Sequence, residues 1–300
     1  MADITRERQG EMVREVLQVL QKHPDGLQAR KVIGEVEMRL GLTDFEKADY
    51  PSSPGVRRFD KILRFNTIPA VKAGWLVKSK GVWTITTEGE AALDKFKDDP
   101  AEFMRESVRR YRAWKKLQPE DEEVGGVESE NETEVLATSG LEEARESAWD
   151  GIRAYIAAMT AYPFQDLAAA LMEAMGYHVA WIAPPGPDQG LDILAYRDPL
   201  GTEDPRIKVQ VKHRPDAKAN PDGIRSFMAI LGASDVGIFI ATGGFTPEAR
   251  REARNQESRR VTLIDLDRFV ELWIEHYDNL DETKRQLLPL EPVWFLAPPT

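Results

Sequence analysis

The spacing of hydrophobic positions changes character along the chain, and each change marks an element. Met12, Val16, Val19 and Leu20 recur at helical spacing, as do Val32, Ile33, Val36 and Leu40, which predicts two amphipathic helices. A third helix is predicted from about Val56 through Phe59, Ile62 and Leu63, interrupted or restarted near Pro69 and stopped at Gly74. Trp75-Leu76-Val77 and Val82-Trp83-Thr84-Ile85 flank the polar turn Lys78-Ser79-Lys80-Gly81, the pattern of a short β-hairpin. Thr87 with Glu90 three residues later reads as a capping box opening another helix. Three helices followed by a two-stranded wing make a winged helix-turn-helix.

The pattern then lapses. PEDEEVGGVESENETEVLATSG has few large apolar residues to offset the entropy of ordering, so Pro119 to about Gly140 is read as a flexible acidic linker, kept extended by like charges. Beyond it, Phe164, Leu167, Ala168, Leu171 and Met175 share a helical face closed by Gly176. β-rich runs follow at His178 to Ile182, Leu191 to Tyr196 and Ile207 to Lys212. A helix carrying Ile224, Phe227 and Leu231 leads into the apolar run Val236 to Ile240, which reads as a buried central strand. Thr246 before Pro247 starts a helix, and a strand around Val261 to Ile264 and a helix around Asp267 to His276 complete an αβββαβαβα order. The predicted division is a winged-helix domain over 1–100, a basic helix over 101–118, the linker over 119–140 and an α/β domain over 141–300.

Composition narrows the function classes. The 300 residues include no cysteine, which excludes disulfides, thiolate metal sites and cysteine catalysis. No run reaches the roughly 18 apolar residues of a membrane span, and MADITRERQGEM has no apolar signal core, so the expected location is the cytoplasm. The net charge of −11 argues at first against a polyanionic partner. Yet Pro119 to Asp150 alone holds twelve acidic residues and one basic, leaving the rest of the chain formally neutral. Between Gly55 and Gly81, seven basic residues (Arg57, Arg58, Lys61, Arg64, Lys72, Lys78 and Lys80) stand against the single acid Asp60, the footprint expected of a recognition helix and wing on DNA. A second cluster, Arg105, Arg109, Arg110, Arg112, Lys115 and Lys116 with Tyr111 and Trp114, reads either as a phosphate clamp or as a solvated helix.

The chemistry concentrates in Asp192 of GLDI and in Gln210 and Lys212 of KVQVKH. Side chains two apart on a strand share a face, so Gln210 and Lys212 are neighbours while Val209 and Val211 point into the core, and Asp192 can sit opposite them. Phosphodiester hydrolysis needs a hard cation on oxygen ligands, an activated water and positive charge where negative charge develops. A carboxylate, a carbonyl oxygen and an ammonium supply those parts.

An Asp, a spacer and E/Q-x-K on a buried strand resembles the PD-(D/E)xK nucleases, and most closely the Mrr-like type IV restriction endonucleases. The resemblance rests on Phe164, Leu167, Met175-Gly176-Tyr177, Asp188, Gly190, Leu191-Asp192, Gln210-Val211-Lys212, Val236 to Thr242, Phe245-Thr246, Ala249 and Leu263-Ile264-Asp265. It covers roughly 160–275, and the domain order agrees. It implies an α/β fold class in which an N-terminal winged helix-turn-helix precedes a restriction-endonuclease-like α/β domain with a mixed central sheet. It further implies cleavage of duplex DNA, methylated or foreign, with no small-molecule substrate, by a homo-oligomer. The implied metal is Mg²⁺ on Asp192, on Gln210 directly or through water, and on the Val211 carbonyl, with Lys212 activating water. DNA contacts are expected from Arg57, Arg58, Lys61, Arg64, Lys78 and Lys80, and from His213 at a phosphate unless it is a surface residue. Gln210 is the family's usual residue there. Gln165 departs from the family's Glu on the first helix, and Gln189 from a Gly. Trp181 is expected in the core, in preference to a wedge against DNA, His23, His178 and His276 in structural roles, and Arg250, Arg251 and Arg254 at phosphate or in solvent. The retained alternatives are a structure-specific repair or junction nuclease and a winged-helix DNA-binding regulator that does not cut.

Overall fold

The computed structural model describes residues 4–51, 53–116, 132–186, 190–255 and 259–293. The chain divides into two compact units, one running to Asp150 and the other comprising Gly151–Val293.

The first unit begins with α1 (Arg6–Gln21), β1 (Leu27–Gln28) and α2 (Ala29–Arg39). α3 (Asp44–Lys47) and a hairpin of β2 (Asp49–Tyr50) and β3 (Ser53–Arg57) follow. α4 (Arg58–Asn66), α5 (Ile68–Lys72), β4 (Leu76–Ser79), β5 (Val82–Ile85), α6 (Thr87–Lys95) and α7 (Pro100–Lys115) complete the domain. The strands order β1-β5-β4, a winged helix with a three-stranded wing. Met12, Val16, Val19 and Leu20 are fully buried, as their spacing predicts. α7 is more than a basic appendage. It buries Phe103, Met104 and Val108 in the same core, with Phe103 4.9 Å from Trp75 between ring centroids.

Three local expectations shift. The third helix starts at Arg58, because residues 53–57 are spent on the β2–β3 hairpin. The wing turn shortens to Lys80-Gly81, since Lys78 and Ser79 pair with Trp83 and Val82. Both turn residues have positive φ, the geometry that matches strand twist in a two-residue hairpin. Thr86, one residue before the expected Thr87, caps α6 by accepting the Gly89 N–H; Gly89 has no side chain to close a capping box.

α8 (Glu132–Ala157) begins inside the expected linker. Residues 119–131, the rest of that linker, lie outside the described residues, as do 117 and 118 at the end of the expected basic helix. The unit boundary falls within α8, at Asp150, ten residues beyond the expected linker end.

The second unit follows the predicted order: α9 (Ala161–Ala174), β6 (His178–Ile182), β7 (Ile193–Tyr196), β8 (Ile207–Lys212), α10 (Pro221–Ala229), β9 (Val236–Ala241), α11 (Pro247–Arg254), β10 (Arg260–Asp265) and α12 (Leu266–Glu275), then the short α13 (Glu282–Arg285). The five strands order β10-β9-β8-β7-β6, parallel across β8, β9 and β10 and antiparallel across β6, β7 and β8, so the sheet is mixed. α9 and α12 meet through Phe164 and Phe269, 5.2 Å apart, while α10 and α11 pack with Phe239 and Ala241 of β9. Alternation along the doubly buried β9 serves both layers. Thr246 caps α11 as expected.

Candidate active site

Asp192 sits just before β7, where its backbone is held on two sides. Its amide donates to Val209 O at 3.0 Å and its carbonyl accepts from Ala183 N at 2.8 Å. The side chain is 5% exposed, and Oδ2 accepts the Val211 N–H at 2.8 Å. The antiparallel register of β7 on β8 thus brings a carboxylate onto the strand that carries Gln210 and Lys212.

On β8 the predicted alternation holds. Val209 and Val211 are buried, and Gln210 is in register with Phe239, whose ring packs on Phe227 and Phe245. Gln210, 5% exposed, and Lys212 two residues on therefore face the α10–α11 side. A strand residue turns its N–H and C=O toward the same edge, so the Val211 carbonyl faces the side on which Asp192 receives the Val211 amide. Gly190 makes the close approach possible: at φ +86°, a Cβ there would stand 3.1 Å from Gln210 Nε2. Lys208, on the same face, is engaged by Asp235 and Ile230 O at the far end of the strand. Lys212 is thus the lysine beside Gln210. A carboxylate, an amide and a strand carbonyl meet at one end of β8, and Lys212 follows two residues beyond Gln210 on the same face. Among the described residues, no three His, Asp or Glu side chains cluster as a metal site.

Gln165 takes part from behind. It is 5% exposed, and its Nε2 donates at 2.8 Å to the carbonyl of Ala183, the residue whose amide binds Asp192. The sequence raised Gln165 only as a lost carboxylate; its observed work is to hold the backbone beside Asp192. Asp188 and Gln189 lie outside the described residues.

Two expectations are corrected. His213 is half-buried rather than presented to a phosphate: its Nε2 lies 2.9 Å from Met159 O and its ring stacks on Phe164 at 4.8 Å. Trp181 is 41% exposed rather than in the core, next to Ile182 at 38%. β6 is an edge strand whose register shifts between Val179 and Trp181, and such a bulge breaks the alternation that would hide one of the two.

A family model described as restriction endonuclease (Mrr_cat) matches residues 156–273, and another, the Mrr N-terminal domain, matches residues 10–95. The type IV methyl-directed restriction enzyme EcoKMrr of Escherichia coli (strain K12) is 25% identical over 293 residues, covering 87% of this chain and 90% of that protein. The chain belongs to the Mrr-like restriction endonucleases. A solved structure, MspJI restriction endonuclease in complex with a 27-mer oligonucleotide, overlaps 69% of this chain and 52% of its own at 14% identity and a TM-score of 0.33.

In the Mrr-type N-terminal domain the cations expected to form an open DNA footprint are all engaged. Arg57 binds Glu37 at 2.6 Å and Asp60 at 2.7 Å, and Arg58 lies over the Phe45 ring at 4.5 Å. Lys61 pairs with Glu143, Arg64 with Glu146 and Lys78 with Glu142, while Lys80 lies over Trp149 at 5.7 Å. Lys61 and Arg64 are 7% and 5% exposed. Burial lowers the Lys78 pKa despite Glu142, and burial raises that of Glu146 against the pull of Arg64 and Trp83. The covering residues were counted in the sequence as acidic charge near the linker; their helical spacing at 142, 143 and 146 was the overlooked signal. The α7 cations stay outward: Arg105, Arg109, Arg112 and Lys116 line an open groove of about 560 Å³ with Arg6.

Proposed function

We propose that this Mrr-like chain is a metal-dependent endonuclease that hydrolyses phosphodiester bonds of duplex DNA, restricting modified DNA, with Asp192, Gln210 and Lys212 as its catalytic side chains. The observation that carries the reading is the buried Asp192 carboxylate receiving the Val211 N–H beside Gln210 on β8. The donor set fits a hard divalent cation, because every available ligand is oxygen: the Asp192 carboxylate, the Gln210 side-chain carbonyl and the Val211 backbone carbonyl. Mg²⁺ held there would supply Lewis acidity at the scissile phosphate. With one carboxylate among the proposed ligands, the protein's own share of cation affinity is modest, and the substrate phosphate contributes the rest.

Lys212 places an ammonium where charge develops on the phosphate and orients the attacking water. Gln165 positions the backbone that carries Asp192. Modified-base selectivity is supported by the methyl-directed relative and by the separation of a winged-helix module from the cutting module. One site per chain faces a two-stranded substrate, so the double-strand cutter is a homo-oligomer, at least on DNA. The place of action is the cytoplasm, where such DNA would be met; among the described residues no helix is long and apolar enough to cross a membrane.

The test is plasmid cleavage with Mg²⁺ on matched methylated and unmethylated DNA, with mass followed by light scattering. Asp192→Ala and Lys212→Ala should keep DNA binding and lose on the order of a hundredfold to a thousandfold in cleavage, whereas Gln210→Glu should cut. Full cleavage by Asp192→Ala, or undiminished cutting in excess EDTA, overturns the assignment. Equal cutting of unmodified DNA overturns the modified-base reading, and efficient double-strand cutting by a strict monomer overturns the oligomer.

A further inference from the structure

α4 has two faces of opposite character. Phe59, Ile62 and Leu63 are buried in the core of the winged helix, while Arg57, Asp60, Lys61 and Arg64 recur at helical spacing on the other side, the side a duplex would meet. That outer side is covered from within the same unit. Glu142, Glu143 and Glu146 lie on one face of α8 and reach Lys78, Lys61 and Arg64 respectively. Glu146 also accepts the indole N–H of Trp83 at 2.7 Å, and Lys78 lies over that indole at 4.1 Å. The wing tip closes in as well: at Gly81, φ +74°, a Cβ would stand 3.4 Å from the Glu146 backbone, so a larger residue would crowd the helix.

Three carboxylates from one helix, set over three cations of a recognition helix and wing, present the charge pattern that a phosphate backbone would present. The cover is chemically incomplete. Arg64 gives Nη1 to Glu146, but its buried Nε has no hydrogen-bond partner, and beside it lies a cavity of about 510 Å³ lined by Arg57, Arg64, Glu143, Glu146 and Asp150 among others. A guanidinium fork is built for a planar or phosphate acceptor that takes two of its donors at once. Buried ion pairs also add little net stability, because desolvation offsets most of their attraction, so exchanging these carboxylates for phosphates costs little.

We infer that the acidic turn of α8, residues 142–150, is a built-in competitor for DNA on α4 and the wing, so that the winged helix engages a duplex only after this turn has lifted. The inference rests on the proposed DNA binding by the winged helix. It makes the protein's affinity for DNA a product of intrinsic binding and the fraction of molecules with the turn lifted.

The test uses the full chain in EDTA, a short fluorescein-labelled duplex and low salt. Glu142→Gln with Glu143→Gln and Glu146→Gln should tighten binding about tenfold, the gain expected if the turn is lifted in about a tenth of wild-type molecules. A control with the same charge change on exposed α6, Glu88→Gln with Glu90→Gln and Asp94→Asn, should change binding less than about twofold. Adding Lys61→Gln and Arg64→Gln to the first triple should abolish the gain. Amide exchange over 142–150 should accelerate in the first triple, and in the wild type when the duplex is added. An equal gain in the control, or a gain that survives loss of Lys61 and Arg64, overturns the inference. If the first triple exchanges faster over 142–150 yet binds no better, the fault lies in DNA binding by the winged helix, and the inference falls with it. If neither exchange nor affinity changes, the cover itself is refuted.

Discussion

Asp235 in one unit and Glu146 in the other are both buried carboxylates among cations, and the two are built differently. Asp235, 4% exposed, receives Arg206 Nε at 2.8 Å, Lys208 Nζ at 2.9 Å and the Gly232 N–H at 2.7 Å. Burial alone would raise its pKa, yet the bonds from Lys208, Gly232 and Arg206 outweigh burial and hold it below the usual carboxylate range. Glu146, 7% exposed, meets Arg64 and Trp83, and there burial wins and pushes the pKa up. The first cluster is satisfied on every side and ties the start of β8 to the loop before β9. The second leaves Arg64 Nε unpartnered beside an open cavity. Equal burial of charge therefore does not imply equal permanence; what separates the two is whether the ions can return to water or change partners without unfolding the domain around them.

The largest effect that would sharpen this contrast is at Asp235. Asp235→Ala strands Lys208 and Arg206 beside a packed sheet, and urea unfolding should show a loss of about 3 kcal/mol, the lower end for breaking a buried pair because Arg206 is half-exposed. A loss under about 1 kcal/mol would place Asp235 with Glu146 and dissolve the comparison.

A smaller effect is the pH dependence of that same cluster. The folded carboxyl titrates below its unfolded value near pH 4, so its contribution is complete above that value and disappears as pH falls through the folded one. The stability gap between wild type and Asp235→Asn should therefore narrow as pH falls from about 5 through the acid range. A constant gap across that range would show that the carboxylate's charge contributes nothing to the knot.

The smallest effect is expected at Glu146. Glu146→Gln should cost less than about 1 kcal/mol in global unfolding, since a lifted turn returns Arg64 to water instead of stranding it. A loss matching that of Asp235→Ala would make the α8 contact a structural clamp.

Elements were legible where one side of a segment meets the core and the other meets solvent or a second layer. The nuclease order from α9 to α12 and the alternation of Val209, Gln210, Val211 and Lys212 follow from period alone, because each residue's environment repeats with the backbone. Boundaries were less legible. The β2–β3 hairpin displaced the start of α4, and Thr86 rather than Thr87 capped α6, because capping depends on where the chain actually turns. Trp181 was misjudged for a related reason: period cannot tell an edge strand from a central one, nor show a bulge.

The sequence by itself determined the order of the elements, the shared face of Gln210 and Lys212 on β8, and the place of Asp192 just before the neighbouring strand. These are local properties of pattern and residue type. Only the tertiary structure decided that Val211 N–H binds Asp192, that Gln165 holds Ala183, that His213 stacks on Phe164, and that Glu142, Glu143 and Glu146 cover the cations of α4 and the wing. Lys61 and Glu143 are 82 positions apart, as are Arg64 and Glu146. A charge in a sequence carries its sign but not its partner, because electrostatic and hydrogen-bond energies depend on distances of a few ångströms that folding alone creates.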